Sequence, residues 1–511
     1  MIRKNLLTLI MIISTANICF AVDINDLIMP INPLDNTPQA TTSFKKATLT
    51  KNDIANQYII ALNRFIQSNV RASYSDFRIL IENAAPTEFM YLQMAEKMAE
   101  IGFFDLSELA LTKITDDDIS YMTKEDIKKF YYPSQKLSKD DELYLAEMYS
   151  NILYNEQSLE VTDELIKNVP LLEKSDYANY VVAYGYYKSN NIEEALKYIN
   201  NALNKNRGNI NYKKLKVQLL SLSDKPKNAL KLLNEIKSQT MLTTEFTRKI
   251  NSLEQYALYN TKKNEFEKKY HLAYYFYYEN ELNKAMRTLQ TAFSTKKNYN
   301  KNVYALLSRV YFDLKEYEKA EDNATKAFKA DKTNSISLLV LGDINFRKAD
   351  YKNAAKYYEA AAFYDKTSYV PQVKLAQALM NTNKIKKAQD IYTKILKTHS
   401  DCYEAYYNVA LTDKSREETY LKKSVAINTR FVDGWIDLAR LAIEQNNNGK
   451  AEEYLTVVNA LDTNNYRYYY YQGLLYKNKG LIADAKRSFK KCLSINPDYE
   501  LAKKEFNIWT Y

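Results

Sequence analysis

One spacing of small and large apolar residues recurs every 34 residues along the second half of this 511-residue chain. The clearest copy, residues 466–499, has glycine at its position 8, alanine at position 20, phenylalanine at position 24 and proline at position 32. Positions 4, 7, 8 and 11 share one face of a first helix, and positions 20, 24 and 27 share one face of a second. Small residues at positions 8 and 20 let the two helices approach closely, and the proline ends the second helix. The pattern predicts a helical hairpin that is repeated along the chain.

The register is kept over seven consecutive units between residues 266 and 499. One of them, residues 403–431, is only 29 residues long. Because both ends of its pattern are present, we expect the five missing residues to lie around the turn between its helices and to produce a local kink. The seven units are 266–299, 301–334, 335–368, 369–402, 403–431, 432–465 and 466–499.

The pattern is degenerate in residues 51–265. Its better units there are 88–121, 176–209 and 210–243. Residues 244–265 predict an unpaired helix between the two halves. After the last repeat, Ala502, Phe506 and Trp509 are spaced i, i+4, i+7, which predicts a capping helix over residues 500–511.

This register resembles that of the tetratricopeptide repeat (TPR) family. The resemblance is carried by Gly473, Tyr476, Gly480, Ala485, Phe489 and Pro497 in the clearest unit. It implies an all-α fold, a right-handed α-solenoid of helix–turn–helix repeats, in which each repeat buries its apolar face against the next.

Composition argues against catalysis. The chain has eight glycines and two histidines, so it has no glycine-rich phosphate loop and little material for metal or acid–base chemistry. His271 and His399 are 128 positions apart, and no nucleophile motif is present. We therefore predict no catalytic, cofactor or metal site. An unrecognised active site in residues 51–260 remains the rival hypothesis.

The charges are mixed along the chain. There are 72 basic and 62 acidic residues, with a formal net charge of +10 and no long run of either sign. This pattern is typical of a solvated helical surface, and it does not predict nucleic-acid binding.

The N-terminus has the pattern of an export signal. Arg3 and Lys4 precede an uncharged stretch at residues 6–20, and Ala21 follows. Residues 1–21 are therefore predicted to be a signal peptide, residues 22–50 a flexible linker rich in proline and threonine, and the mature chain periplasmic or secreted, without a membrane-spanning segment. An uncleaved anchor and lipidation of Cys19 are the alternatives.

Two cysteines, Cys402 and Cys492, would remain in the mature chain. They lie in different repeats, and two cysteines in so long a chain do not make a disulfide framework. Cys492 falls at a core-facing position, where we expect a small buried hydrophobic residue.

The family resemblance also implies where a partner would bind. In TPR arrays the first helices line a concave groove, and positions 2, 5, 9, 12 and 13 point into it. Here those positions hold tyrosines in two units and a mixture of aromatic and charged residues in later ones. The candidate groove residues are Tyr177, Tyr180, Tyr184, Tyr187, Tyr270, Tyr274, Tyr277, Tyr278, Arg309, Phe312, Phe346, Arg347 and Arg440.

Tyrosine offers a flat ring and a hydroxyl at low entropic cost, which suits an extended peptide or a sugar. Codon bias of an AT-rich genome together with core packing is the alternative explanation of the tyrosines. The sequence thus predicts a non-enzymatic protein-interaction scaffold of a bacterial envelope or secreted space, which binds a partner polypeptide in its groove. A cell-wall or polysaccharide-associated adaptor is the second hypothesis.

Overall fold

A computed structural model describes residues 51–83, 88–114, 123–154, 158–223, 225–239, 244–293 and 297–507. These residues form 28 helices and no strand. In chain order the helices are α1 Lys51–Ile66, α2 Val70–Asn83, α3 Glu88–Glu100, α4 Phe104–Thr112, α5 Lys124–Tyr131, α6 Lys139–Tyr154, α7 Ser158–Lys167, α8 Val169–Lys174, α9 Asp176–Lys188, α10 Ile192–Lys205, α11 Ile210–Leu222, α12 Pro226–Gln239, α13 Thr244–Thr261, α14 Glu265–Tyr278, α15 Leu282–Gln290, α16 Lys297–Asp313, α17 Tyr317–Ala330, α18 Ser335–Arg347, α19 Tyr351–Tyr364, α20 Val370–Asn381, α21 Ile385–Thr398, α22 Tyr403–Ala410, α23 Glu417–Ile427, α24 Val432–Glu444, α25 Asn448–Leu461, α26 Tyr466–Asn478, α27 Ile482–Ile495 and α28 Glu500–Asn507.

Most helices pair as hairpins through turns of one type. Most hairpins join their helices through three residues, and the middle residue has a left-handed backbone. The turn after α16 shows how the helix end is satisfied, because the Glu316 N–H donates to the Tyr311 carbonyl at 2.9 Å, across the left-handed Lys315. The left-handed turn residues are Ser68, Gly102, Asn190, Asn280, Lys315, Ala349, Asn383, Asn446 and Gly480.

Small residues bring the two helices of a hairpin together. Gly473 of α26 faces the ring of Phe489 on α27, and a Cβ atom at position 473 would lie 2.5 Å from Phe489 Cε1. Gly342 of α18 faces Tyr358 of α19 in the same way. Position 8 of a repeat is therefore small where position 24 is aromatic, as the sequence pattern predicts. The prediction of an all-α solenoid of helical hairpins is confirmed.

The described residues divide into two compact units. One contains the residues up to Asn191, Asn201–Asn211 and the residues from Leu421 onward; the other contains Ile192–Asn200 and Tyr212–Tyr420. We call them the first and the second unit. The second unit has an apolar core centred on α14 to α18, built from residues such as Ala285, Leu289 and Val310, all completely buried.

The hairpin of the 29-residue repeat is shortened where its two helices meet the turn. Its first helix, α22, has only 8 residues, and its turn at residues 411–416 is longer than the usual three. The missing residues are therefore taken from the end of α22 and the start of α23, which flank this turn.

The sequence predicted that α13 would be an unpaired helix, and this prediction is wrong. It packs against α12 on one side and against α14 on the other. Ile250, Leu253 and Ala257 lie on its buried face. Their i, i+3, i+7 spacing is the signal that places α13 within the helical array.

Helix α28 packs against α27 and buries Ala502, and Phe506 is partly buried. Trp509 lies outside the described residues, as do the predicted signal peptide and the linker at residues 22–50. None of the helices within the described ranges is both long and apolar enough to span a membrane.

Candidate interaction surface

An arginine on α16 connects three successive first helices of the second unit. The Arg309 guanidinium donates to both carboxylate oxygens of Asp313, at 2.9 and 3.2 Å, and to Asp343 on α18 at 3.0 Å. Its Nε also lies 3.3 Å from the hydroxyl of Tyr277 on α14. The planar guanidinium suits this arrangement, since its five donors point in fixed directions.

The carboxylate of Asp343 is the other centre of this cluster. It is 4% exposed, and besides Arg309 it accepts a hydrogen bond from the Tyr358 hydroxyl at 2.7 Å. Lys374 of α20 lies 3.2 Å from the same carboxylate. Every charge that is buried here therefore has an opposite partner. We call Tyr277, Arg309, Asp313, Asp343, Tyr358 and Lys374 the first-helix network.

Burial and charge act together on the titrating groups of the network. Burial works against the charged form of Arg309, but Tyr277, Asp313 and Asp343 outweigh it and raise the pKa of the guanidinium. Burial also raises the pKa of Tyr277 to about 12, with Arg309 opposing and Asp313 adding to the shift. Tyr277 therefore remains a neutral donor to Asp313, at 2.9 Å, under physiological conditions.

Aromatic rings extend this surface along α14. Phe266 and Tyr270 are stacked with an interplanar angle of 8°, and Tyr274 and Tyr278 are stacked at 23°. The rings are one helical turn apart on one face, and all four are partly buried. They offer a preformed row of flat faces beside the first-helix network.

The other candidates of the second unit pack near the hairpin turns, Phe312 and Phe346 at their own and Arg347 at that of the preceding hairpin. Phe312 meets Tyr317 edge-on at 5.4 Å, and Phe346 meets Tyr351 at 5.0 Å. Arg347 is exposed and lies over the ring of Tyr317, with 3.8 Å between the guanidinium carbon and the ring centroid. Phe312 and Phe346 are therefore partly covered by the turns they pack against, whereas Arg347 is accessible.

Two tyrosines of the first unit do not line an accessible surface, contrary to our expectation. Tyr177 is 2% exposed and Tyr180 is 5% exposed. The ring of Tyr177 meets Phe104 edge-on at 5.0 Å and covers Gly102. The Tyr180 hydroxyl lies 3.3 Å from that of Tyr149. Both rings are part of the packing between α9 and the helices before it, which the repeat register alone does not reveal.

Tyr184 and Tyr187 continue from this aromatic core and are partly buried, with ring centroids 5.8 Å apart. Arg440 lies near the end of α24 and pairs with Glu444 at 3.0 Å and Asp437 at 3.5 Å. Arg467 of α26 also bonds Asp437, at 3.2 Å. Helices α24 and α26 thus repeat, within the first unit, the joining of first helices by an arginine and a buried carboxylate.

The sequence did not identify Tyr358 and Lys374 as members of the network. Tyr358 stands on a second helix and Lys374 at position 6 of its repeat, so neither belongs to the positions that the family resemblance assigns to the groove. The usable signal was the opposite charge at position 9 of two successive repeats, Arg309 and Asp343.

Each histidine contacts a neighbouring side chain. His271 is partly buried, and its Nδ1 lies 2.9 Å from the Gln255 side-chain oxygen. Burial lowers its pKa. His399 is partly buried against the ring of Tyr369. No group of three or more metal-ligating side chains occurs in the part of the chain that the structure describes.

Two segments match family models of the tetratricopeptide repeat, residues 466–499 and residues 306–371. In these two segments the chain has tetratricopeptide repeats. The second segment includes Arg309, Asp313, Asp343 and Tyr358, so much of the first-helix network lies on matched TPR helices. The models describe a repeat and indicate no catalytic family.

Solved structures of other proteins align with part or most of this chain. A type IV pilus biogenesis factor, PilW, is 19% identical over 40% of this chain and 97% of its own, with a TM-score of 0.34. PilF of Pseudomonas aeruginosa is 16% identical over 42% of this chain and 99% of its own, with a TM-score of 0.37. The Cut9–Hcn1 hetero-tetramer of the APC/C is 11% identical over 91% of this chain and 97% of the matched chain, with a TM-score of 0.41. No curated protein has a matching sequence.

Proposed function

We propose that this protein is a non-enzymatic scaffold that binds an extended polypeptide along the first helices of its second unit. The observation that carries the proposal is the first-helix network, which fixes side chains from α14, α16, α18 and α20 relative to one another. TPR repeats support a role in protein–protein interaction. A surface whose side chains are already ordered loses little entropy when a partner binds.

The tyrosine row gives the proposed surface its contact area. Tyr274 and Tyr278 stack beside the network, and partly buried rings of this kind present an apolar face together with a polar hydroxyl. A peptide backbone can hydrogen-bond to such hydroxyls while its side chains lie on the rings. Burial raises the pKa of both tyrosines, so their hydroxyls stay protonated donors.

The glycan hypothesis rests on the same rings, and it is weakened by the burial of Tyr177 and Tyr180. Of the two repeat units with tyrosines at groove positions, only the one that contains α14 remains as a platform on which a sugar could stack. We therefore propose a polypeptide as the partner.

We also propose that the protein acts in the bacterial envelope or the secreted space, on the strength of the N-terminal pattern. Fractionation of cells and N-terminal sequencing of the mature protein test this. A mature chain that begins at Val22 in an exported fraction is expected. A cytoplasmic chain that retains Arg3 and Lys4 would contradict it.

Site-specific photo-crosslinking tests the proposed surface. A benzophenone amino acid placed at Tyr278 on α14 is expected to capture a polypeptide in cells, and mass spectrometry would identify it. The same group at Lys394, an exposed residue on the second helix α21, serves as the control. Capture at Lys394 but not at Tyr278 would show that the partner binds elsewhere.

Substitution of the rings provides a second test. Tyr274→Ala combined with Tyr278→Ala is expected to abolish most of the capture, because it removes the stacked pair. Tyr364→Ala is the matched control, since Tyr364 is 48% exposed and lies on a second helix. Equal losses in both variants would argue against a surface on α14.

A further inference from the structure

Positive charge is concentrated on the hairpin of α11 and α12. Residues 212–239 contain seven lysines and only two acidic residues, Asp224 and Glu235. Half of the formal net charge of +10 therefore lies in about a twentieth of the chain. The overall charge pattern did not predict this local excess, because basic and acidic residues are mixed along the chain as a whole. Such a patch attracts anionic groups and speeds their association.

Lys216 occupies a position that is apolar in neighbouring repeats. It stands at position 7 of its unit, where Leu307 and Leu341 supply core leucines in later units. Lys216 is partly buried, and its ammonium has no hydrogen bond or ion pair to the described residues. Burial lowers its pKa, although Glu235 acts in the opposite direction. A partly desolvated cation without a bonded partner is stabilised when an anion binds beside it.

A crevice of about 220 Å³ opens beside this lysine. Its charged and polar walls are formed by Lys216, Asn228, Lys231 and Glu235, and its apolar walls by Leu220 and Leu232. Glu235 is already bonded to Lys213 at 2.9 Å, so Lys216 and Lys231 are the cations left to meet a ligand.

We propose that the crevice between α11 and α12 binds an acidic polypeptide segment, with a carboxylate between Lys216 and Lys231 and aliphatic carbons against Leu220 and Leu232. The two lysines supply charge complementarity, and the leucines suit the methylene groups of a glutamate or of its neighbours. The crevice is small, of the size of a side chain rather than of a whole ligand. None of the described residues that line it is aromatic, whereas single-stranded nucleic acids are usually held by stacking on aromatic rings. This site is separate from the first-helix network and does not rest on the function proposed for it.

Fluorescence anisotropy with the full-length protein tests the proposal. The probe is a labelled ten-residue peptide of alternating glutamate and leucine, and the same peptide with glutamine in place of glutamate is its neutral counterpart. We expect the acidic peptide to bind, the neutral peptide to bind at least about tenfold more weakly, and the affinity to fall as salt is raised. Lys216→Met together with Lys231→Met should weaken binding of the acidic peptide about tenfold.

The matched control is Lys386→Met together with Lys387→Met, which removes the same charge from two exposed lysines of α21. The control should keep the affinity of the unmodified protein. Equal weakening in both double variants would overturn the proposal, because net charge alone would then explain binding. A ten-nucleotide single strand or phosphatidylglycerol vesicles that bind more tightly than the peptide, and lose that binding in the Lys216 and Lys231 variant, would also overturn it in favour of a phosphate ligand.

Discussion

Arg309 on α16 and Asp343 on α18 form an ion pair between two successive first helices, with Nη1 and Oδ2 3.0 Å apart. Asp343 also accepts a hydrogen bond from Tyr358 on the second helix of its own hairpin. With Lys374 of α20 also beside it, this buried carboxylate connects four helices, α16, α18, α19 and α20. Apolar contacts alone tolerate small sliding movements, whereas this bonding pattern permits one relative position of the helices.

Asp343→Asn should destabilise the second unit by about 1–3 kcal/mol, because Arg309 and Lys374 lose a charged partner in a buried position. Urea unfolding followed by circular dichroism measures the change. Asp322→Asn is the control, since Asp322 is exposed and its one ion pair within the described residues is with Lys326 on the same helix. An equal effect of the two substitutions would show that the network contributes no more than a surface pair.

Gly473→Ala should lower the urea midpoint although alanine favours helix formation, because its Cβ would meet the ring of Phe489. We expect a loss of about 1–3 kcal/mol. Adding Phe489→Leu should recover part of it, as Leu289 packs in the hairpin that has Ala273 at position 8. Gly449→Ala, where a Cβ meets only Asn447 at 3.8 Å, should instead stabilise by about 0.5–1 kcal/mol. If both glycine-to-alanine substitutions changed the free energy of unfolding in the same direction, close helix contact at Gly473 would not explain the result.

Ala349→Gly should stabilise the protein by about 0.5–1 kcal/mol, because Ala349 has a φ of 59° and glycine adopts this backbone without strain. Thermal unfolding would show the gain. Ala355→Gly, within α19, should lower the unfolding temperature, since glycine is a poor helix former there. A loss in both variants would mean that the turn is not strained.

Raising the pH should weaken the packing of α4 against α6. Burial, and then the carboxyl of Asp105, raise the pKa of Glu142 from its usual 4.5 to about 9. The folded chain therefore binds this proton more tightly than the unfolded chain does, and stability falls as the pH rises from about 4.5 towards 9. The side chain is 5% exposed and accepts from the Asp105 N–H at 3.2 Å.

Hydrogen exchange of α4 and α6 amides, corrected for the intrinsic rate at pH 5, 6.5 and 8, measures this dependence. Glu142→Gln should remove most of it, because glutamine stays neutral. Tyr74 donates a hydrogen bond to Asp105. It stays protonated in this pH range, since burial raises its pKa above the usual value of a tyrosine. Glu108→Gln, on the exposed side of α4, is the control and should leave the pH dependence of exchange unchanged. An unchanged pH dependence in Glu142→Gln would assign the effect to another group.

Thiol reagents should react slowly with both Cys402 and Cys492 in the folded protein. Each is completely buried and unpaired with another cysteine, and burial raises the pKa of each thiol, that of Cys492 to about 11. Reaction with a chromogenic disulfide should be at least about a hundredfold faster in urea. Fast labelling of one thiol in the native state would show that its helix opens.

The sequence predicted the hairpins well because position 8 and position 24 report directly on helix contact, as at Gly473 and Phe489. It predicted less where the neighbouring helix decides the outcome. Tyr177 stands at a groove position by register, yet Phe104 and Gly102 leave space that its ring fills. The position of a residue in the repeat predicts the face of its own helix on which it lies. It does not predict which neighbouring side chains cover that face.

The turns show a second limit of sequence patterns. A glycine is the usual signal for a left-handed residue, but Lys315 and Ala349 adopt the same backbone as Gly480. Tertiary packing of the two helices imposes the turn on residues that do not favour it. The first-helix network could be predicted only in part, because Tyr358 and Lys374 belong to it and stand at repeat positions outside the groove pattern.

The shortness of α22 affects how the chain opens. The eight-residue helix α22 is followed by a six-residue turn at residues 411–416 and has three buried residues, whereas α24 has eight. A protease needs an extended stretch of substrate, and Lys414 and Arg416 in this turn are suitable cleavage points for trypsin. Limited digestion of the native protein would therefore begin in this hairpin, long before the longer helices yield.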